Sequence, residues 1–173
     1  MTHSLPPSTE STIVKRVTDE KFVDVYTSNE EAARLLENGR TLVAVKAWFF
    51  VAALGSHSYS SGIHCIRIRV DDGVPFLGIR SRSIPPVPSE FSGGSYCLES
   101  VSTYGWEISY AAIINGHVHA NSEEIMEPDS AIYSLTLNCD QRRLSLVNEN
   151  TNEQSEMEVD IHQVPFPWCL FGA

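Results

Sequence analysis

Most of the signals that announce a function are missing from this chain. Its four cysteines, Cys65, Cys97, Cys139 and Cys169, are spread widely and form no C-x-x-C pair. That speaks against a zinc ribbon or redox motif, and disulfide frameworks are denser and belong to smaller secreted domains. No Asn-x-Ser/Thr sequon occurs, although asparagine is common. Both observations favour a reducing, cytoplasmic setting with free thiols, buried at Cys65 and Cys139. No apolar run approaches a membrane span; the longest, Trp48 to Leu54, is strand-sized. The opening residues, with Pro6-Pro7 and no basic start, do not read as a signal peptide.

Positive charge is also scarce. Twelve Lys and Arg stand against 22 Asp and Glu, a net charge of −10. The long-range field therefore repels phosphate, so neither nucleic acid nor an anionic membrane is an expected partner. Arg80 and Arg82 remain a local basic pair. No Gly-rich phosphate loop is present, since Gly93-Gly94 runs into Ser95-Tyr96 without a lysine. No Gly-x-Ser-x-Gly elbow accompanies the serines. Asp71-Asp72-Gly73 lacks the further carboxylates of a calcium loop.

What the chain does have is a succession of short alternating segments. His64, Ile66, Ile68 and Val70 alternate with Cys65, Arg67 and Arg69, the pattern of a strand with one buried face. Asp71-Asp72-Gly73 then predicts a hairpin into a second strand, Val74 to Ile79. Further strands are expected at Phe22–Tyr26, Thr41–Val45, Trp48–Ala53, Tyr104–Ile108, Ala112–Ile114, Ile132–Leu137, Leu144–Val147 and Met157–Ile161. Pro165 to Phe171 is an apolar, aromatic segment. Asn115-Gly116 predicts a tight hairpin, because both residues tolerate positive φ, with Val118 and His119 starting the return strand. Residues 1–12 read as a flexible lead-in. Between Ser28 and Gly39 the residues suit either a capped helix or strand and turn. Strand signals about every ten residues with little helix argue for an all-β antiparallel sandwich.

Several of these segments, in this order, resemble the SPRY part of the PRY–SPRY family. The resemblance rests on Leu54-Gly55-Ser56 with Tyr59-Ser60-Ser61-Gly62 and His64, on Val74-Pro75-Phe76-Leu77-Gly78-Ile79, and on Tyr104-Gly105-Trp106. It continues through Asn115-Gly116, the Leu137-to-Leu146 hairpin and Pro165-Phe166-Pro167. Cys65-Ile66 stands where the family usually has Tyr-Trp, and Asp129-Ser130-Ala131 replaces a usual Gly-Asp. The resemblance implies a lectin-like, concanavalin-type jelly roll. Residues 13–53 would form a PRY-like part and 54–173 a SPRY-like part ending before the family's closing strand. It also implies strand and turn, rather than helix, over residues 28–39.

The function implied is a non-enzymatic protein-interaction module without a cofactor, of the sort that reads substrates for ubiquitin ligases or adaptors. Such modules bind a peptide or protein loop through surface loops, here Ser56–Ser61, Arg80–Ser102, Asn121–Asp129 and Asn148–Ser155. Arg80, Arg82, Phe91 and Tyr96 supply the mixture of arginine and aromatic anchors typical of binding hot spots. Tyr104 and Trp106 would line the pocket beneath, or pack in the core. A carbohydrate-binding sandwich is the alternative, with a tryptophan stacking on a sugar. A hydrolase built on His57 or His64 with Asp71-Asp72 is a third reading. His117-x-His119, with Glu123 or Glu124, has the alternation of a metal pair, but reads more simply as surface histidines after a turn.

Overall fold

The computed structural model describes residues 13–46, 49–87, 100–108, 111–120 and 130–173. In chain order the strands are β1 (Val14–Val17), β2 (Phe22–Thr27), β3 (Ala33–Leu36), β4 (Thr41–Ala44), β5 (Val51–Gly55), β6 (Ile63–Val70) and β7 (Phe76–Ser81). They continue as β8 (Tyr104–Glu107), β9 (Ala111–Ile114), β10 (His117–Ala120), β11 (Ala131–Asn138), β12 (Arg143–Asn148), β13 (Gln154–Glu158) and β14 (Trp168–Gly172). Two sheets form the sandwich, one of five strands ordered β1-β6-β11-β12-β13 and one of seven ordered β10-β9-β8-β7-β14-β5-β2. The short ribbon β3–β4 stands apart from both. All pairings are antiparallel except that of β1 with β6, which runs parallel from Val14↔Ile63 to Val17↔Ile66.

Alternation places the main core between the sheets. β11 buries Ala131, Tyr133, Leu135 and Leu137 and leaves the residues between them half-exposed. β12 answers with Leu144 and Leu146, and β13 with Met157. From the opposite sheet come Leu77, Ile79, Tyr104, Trp106, Trp168 and Leu170. The Trp168 indole is fully buried and donates from Nε1 to the Val164 carbonyl at 2.9 Å, so its one polar atom is satisfied. A second cluster, with Ala52, Leu54, Phe76, Ile113, Cys169 and Phe171, occupies the other face of the seven-stranded sheet. Central strands β7 and β14 are therefore buried on both faces, which is why they read as near-continuous apolar runs.

The Gly-Trp strand owes its glycine to space. Gly78 and Gly105 are register partners on β7 and β8. A Cβ on Gly78 would lie 2.1 Å from the Tyr104 carbonyl oxygen, and one on Gly105 2.4 Å from that of Leu77. The Phe76 ring lies over both positions, 2.7 Å from either Cβ.

Two expectations are corrected and one strand is added. Asp71-Asp72-Gly73 is not a hairpin turn but a crossover between the sheets, because β6 pairs with β1 and β11 while β7 pairs with β14 and β8. Burial explains the choice: β7 is apolar on both sides and belongs in the middle of the larger sheet, whereas β6 has an outward row of exposed Arg67 and Arg69. The strand expected over Met157–Ile161 lies earlier, at Gln154–Glu158, since the Asp160 carbonyl already accepts the turn bonds from Gln163 and Val164. Val14–Val17 was not anticipated as a strand; three of its four residues are exposed, so it carries almost no buried-face signal.

Residues 28–39 are strand and turn, as the resemblance implies. Two single 3-10 turns, Glu30–Ala32 and Glu37–Gly39, flank β3. The first is capped by Asn29, not Ser28, through a 2.9 Å bond from Glu31 N to Asn29 Oδ1. Asn38 and Gly39 take positive φ of 57° and 86° and close the β3–β4 turn. The Asn115-Gly116 hairpin forms as expected, with φ of 50° and 78°. Of the cysteines, Cys139 and Cys169 are buried and Cys65 half-buried, all three as free thiols, while Cys97 lies outside the described residues.

Candidate functional site

Antiparallel pairing sorts the connections to two ends of the sandwich. At one end lie 56–62 after β5, residues 82–87 after β7 and 100–103 before β8, the 115–116 turn, 139–142 between β11 and β12, and 159–167 before β14. At the other lie 71–75, the flanks of 121–129, and 149–153. The four loops expected to form one binding surface are thus divided: Ser56–Ser61 and the flanks of Arg80–Ser102 at the first end, Asn148–Ser155 and the flanks of Asn121–Asp129 at the second. Phe91, Tyr96, Glu123 and Glu124 fall outside the described residues.

The first end is organised around one carboxylate. Glu20, in the β1–β2 connection, puts Oε1 within 2.7 Å of Ser56 N, 3.2 Å of Ser56 Oγ and 3.2 Å of His57 N. Its Oε2 accepts from the Tyr59 hydroxyl at 2.5 Å. Gly55 makes room for it, because a Cβ there would stand 2.7 Å from Glu20 Oε1 and 2.8 Å from Leu170 Cβ. Burial, reinforced by the bond to Glu20 and its charge, pushes the Tyr59 phenol well above its ordinary range, so the hydroxyl stays a donor. Tyr59 is fixed on the main chain as well, exchanging two 2.8 Å bonds with Trp168.

Arg82 holds the same loop from the other side. Its Nη2 donates to the carbonyls of Gly55 at 2.5 Å and His57 at 2.7 Å, while its own amide donates to Pro167 at 2.9 Å. Arg82 Nε is sealed from solvent and has no partner among the described residues. The loop is thus gripped by an anion on its amides and a cation on its carbonyls. Asp19 Oδ1 adds a contact with His57 Nε2 at 3.0 Å. His64 Nε2 donates to the Ser61 carbonyl at 2.7 Å and its ring packs 4.8 Å from that of Tyr59. Between these anchors Ser58, Ser60 and Ser61 are left exposed.

Arg80, Tyr104 and Trp106, the other described candidates, are buried. Arg80 is 1% exposed; it donates from Nε to the Ile84 carbonyl at 2.8 Å and lies 5.7 Å from the Phe171 ring centroid. Tyr104, also 1% exposed, donates its hydroxyl to Gln163 Oε1. Trp106 is 5% exposed in the inter-sheet core, so its face is unavailable to a sugar or an anchor pocket. Of the described candidates only Arg82 meets the loop, and it does so as a clamp on the backbone.

The Ser–His–Asp trio does not assemble. His57 and His64 sit at the first end, whereas Asp71 lies beyond the far end of β6, paired with Arg69 at 2.8 Å. His117 and His119 stand exposed on edge strand β10, and among the described residues no three His, Cys, Asp or Glu converge as metal ligands. Glu20, the residue on which the site depends, has no signal in the sequence: its partners in the loop lie 36 to 39 residues away and no local pattern marks it.

No protein-family model matches the chain, and no curated protein matches it. Solved structures do. The PSpry domain of TRIM65 superposes with a TM-score of 0.60 at 12% identity, covering 82% of this chain and 77% of that one. The SPRY domain of human HERC1 gives 0.57 at 14% identity, covering 83% and 87%. Stonustoxin gives 0.61 at 13% identity, covering 87% of this chain but only 25% of the toxin chain. The chain has the SPRY-like β-sandwich fold.

Proposed function

We propose that this chain is a protein-interaction module that recognises a peptide or protein loop at the end of the sandwich carrying residues 56–61. The carrying observation is the double grip of Glu20 and Arg82, which immobilises the loop backbone while leaving Ser58, Ser60 and Ser61 free. A loop ordered before binding loses less entropy when a partner arrives, which favours affinity. Residues 88–99, including Phe91 and Tyr96, belong to the connection that leaves and returns at this same end, and Tyr96 is our choice for an aromatic anchor. Three free thiols support an intracellular setting, where the module would act as the recognition part of a ubiquitin ligase or adaptor.

The test uses exposed positions, since Arg82 is a poor choice: losing it removes two backbone bonds. Ser58→Arg with Ser60→Arg, and separately Tyr96→Ala, should keep the parental Tm and lose proteins captured from cell extract by the parent. Asp72→Arg at the opposite end should keep them. Capture that survives both near-end changes, or is lost with Asp72→Arg, would sink the assignment.

A further inference from the structure

We propose that the two free edges of the five-stranded sheet are complementary, and that the chain associates head to tail with a second copy of itself, β1 of one against β13 of the next. Among the described residues β1 pairs only with β6 and β13 only with β12, so each presents an unpaired edge. Such an edge is a template for another strand unless something blunts it.

The charges at these edges are opposite in sign, with Arg16 on the same outer face as the β13 glutamates and Lys15, the register partner of His64, on the other face. Lys15 and Arg16 are exposed on β1; Glu156 and Glu158 are exposed on β13. On the same outer face Arg67 pairs with Glu149 at 2.8 Å and Arg69 with Asp71 at 2.8 Å, while Arg143 stands opposite Glu158 in the β12–β13 register and forms no ion pair among the described residues. Lys15, Arg16, Glu156 and Glu158 form no ion pair among the described residues. Ile13 and Val14 add apolar surface at the β1 edge, 79% and 49% exposed.

Geometry brings the two edges to the same height. Arg16 pairs with Cys65, Cys65 with Thr136, Thr136 with Ser145 and Ser145 with Glu156, one row across the whole sheet. Arg16 and Glu156 therefore end the same row on the same face. The backbone of β13 also offers outward-facing groups at the glutamates. Asn148 N donates to Glu153 O and Val159 N to Arg142 O, so by alternation Ser155 and Met157 turn their amides to β12. Gln154, Glu156 and Glu158 then turn theirs outward. β1 runs with β6 and β12 and against β13, so a copy that continues the sheet forms an antiparallel pair.

Symmetric alternatives are penalised, because β1 against β1 opposes Lys15 and Arg16 to themselves and β13 against β13 opposes the glutamates. The unlike pairing is heterologous, and so builds chains or rings rather than a closed two-fold dimer. Four or five residues a side fall well short of the ~1,000 Å² expected of a stable interface, so the association is weak and depends on concentration. The net charge of −10 opposes it at long range. At about 0.1 M salt that repulsion is screened beyond about 10 Å, while contact pairs persist.

Sedimentation velocity across a concentration series tests this. At about 0.1 M salt the weight-average mass should rise with concentration, and at about 1 M, where the Debye length is about 3 Å, it should fall back toward monomer. Lys15→Glu with Arg16→Glu makes both edges acidic, and Glu156→Lys with Glu158→Lys makes both basic. Each variant alone should be monomeric, and their equimolar mixture should associate again. If either reversal lowers Tm, glutamine at the same positions replaces it and should still weaken self-association. A parent that stays monomeric throughout, reversed variants that associate as well as the parent, or a mixture that does not recover would each overturn the proposal. The edge charges would then serve only to keep strands apart.

Discussion

The two ends of this sandwich are held by different kinds of bond. At the end carrying residues 56–61, side chains reach across the fold. Glu20 binds Ser56 across 36 residues, Arg82 binds Gly55 across 27, Tyr104 binds Gln163 across 59 and Ser81 binds the Pro165 carbonyl across 84. At the opposite end the loops mostly hold themselves. Asn148 Oδ1 accepts from Asn150 N two residues on, Thr151 and Glu153 bond across two residues, and Arg69 pairs with Asp71. The exception at 149–153 is Glu149, whose carboxylate accepts from Arg67, 82 residues away, at an exposed site; otherwise the reach is short, as from Asn150 Oδ1 to Ile132 N, 18 residues away. Local turns close cheaply and reopen cheaply, whereas long-range bonds open only when packed strands separate. The first end therefore presents a rigid surface and the second a set of solvated turns.

The strongest way to break this contrast is to remove its central carboxylate. Glu20→Ala leaves the amides of Ser56 and His57 and the Tyr59 hydroxyl without an acceptor. At about 1–3 kcal/mol for each uncompensated partly buried group, less what water recovers, the loss should be about 3 kcal/mol. That corresponds to on the order of 10 °C in Tm for a chain of this size. Calorimetry checks the Tm, and hydrogen exchange should show Ser56 and His57 amides opening before the β11 core. A loss below about 0.5 kcal/mol, the range of ordinary surface substitutions, would mean that the carboxylate does not organise the loop.

Alkaline titration sharpens the comparison next. The Tyr59 phenol is raised above the value of 10.0 that it has in the unfolded chain. Above pH 10 the unfolded state releases this proton while the folded state keeps it, so stability is intact below that pH and falls as pH rises through the window above it. Tyr26 and Tyr104 are raised too and contribute a background of the same sign. Tyr59→Phe should flatten the decline seen in urea midpoints between pH 9 and 11. An unchanged slope would contradict a raised Tyr59 phenol.

The smallest effects belong at the opposite end. Asn150→Ala removes one bond to Ile132 N at an exposed site and should cost about 0.5 kcal/mol. Glu149 is held below the ordinary carboxylate value, first by its hydrogen bonds from Arg67 and then by that from Ser134. Its contribution is present above the unfolded value of 4.5 and fades as pH drops through the lower folded value. Glu149→Gln should therefore alter the midpoint only slightly at pH 7 and not at all at pH 2. If either change destabilised as much as Glu20→Ala, the two ends would not differ as described.

Much of the scaffold was legible because strand alternation is local. Ile132–Leu137 and Leu144–Val147 reported their buried faces directly, and Asn115-Gly116 announced its turn. The site was less legible. Arg80 looked like a surface anchor, yet it sits on a strand buried on both sides and satisfies itself with the Ile84 carbonyl and the Phe171 ring. Trp106 carried no mark to separate core from pocket. Asp71-Asp72-Gly73 had turn chemistry, but a turn sequence specifies only that the chain bends, not which strand it pairs with afterwards.

The order of polar and apolar residues by itself determined an all-β chain and the places of its half-buried central strands such as β6, β11 and β12, because a period of two follows from backbone geometry and needs no partner. Only the tertiary structure decided which sheet each strand joins, which end each loop occupies, and that Glu20 and Arg82 meet across the 56–61 loop. Those choices depend on groups tens of residues apart whose pairing is settled by mutual burial. No window of sequence contains both halves of such a contact.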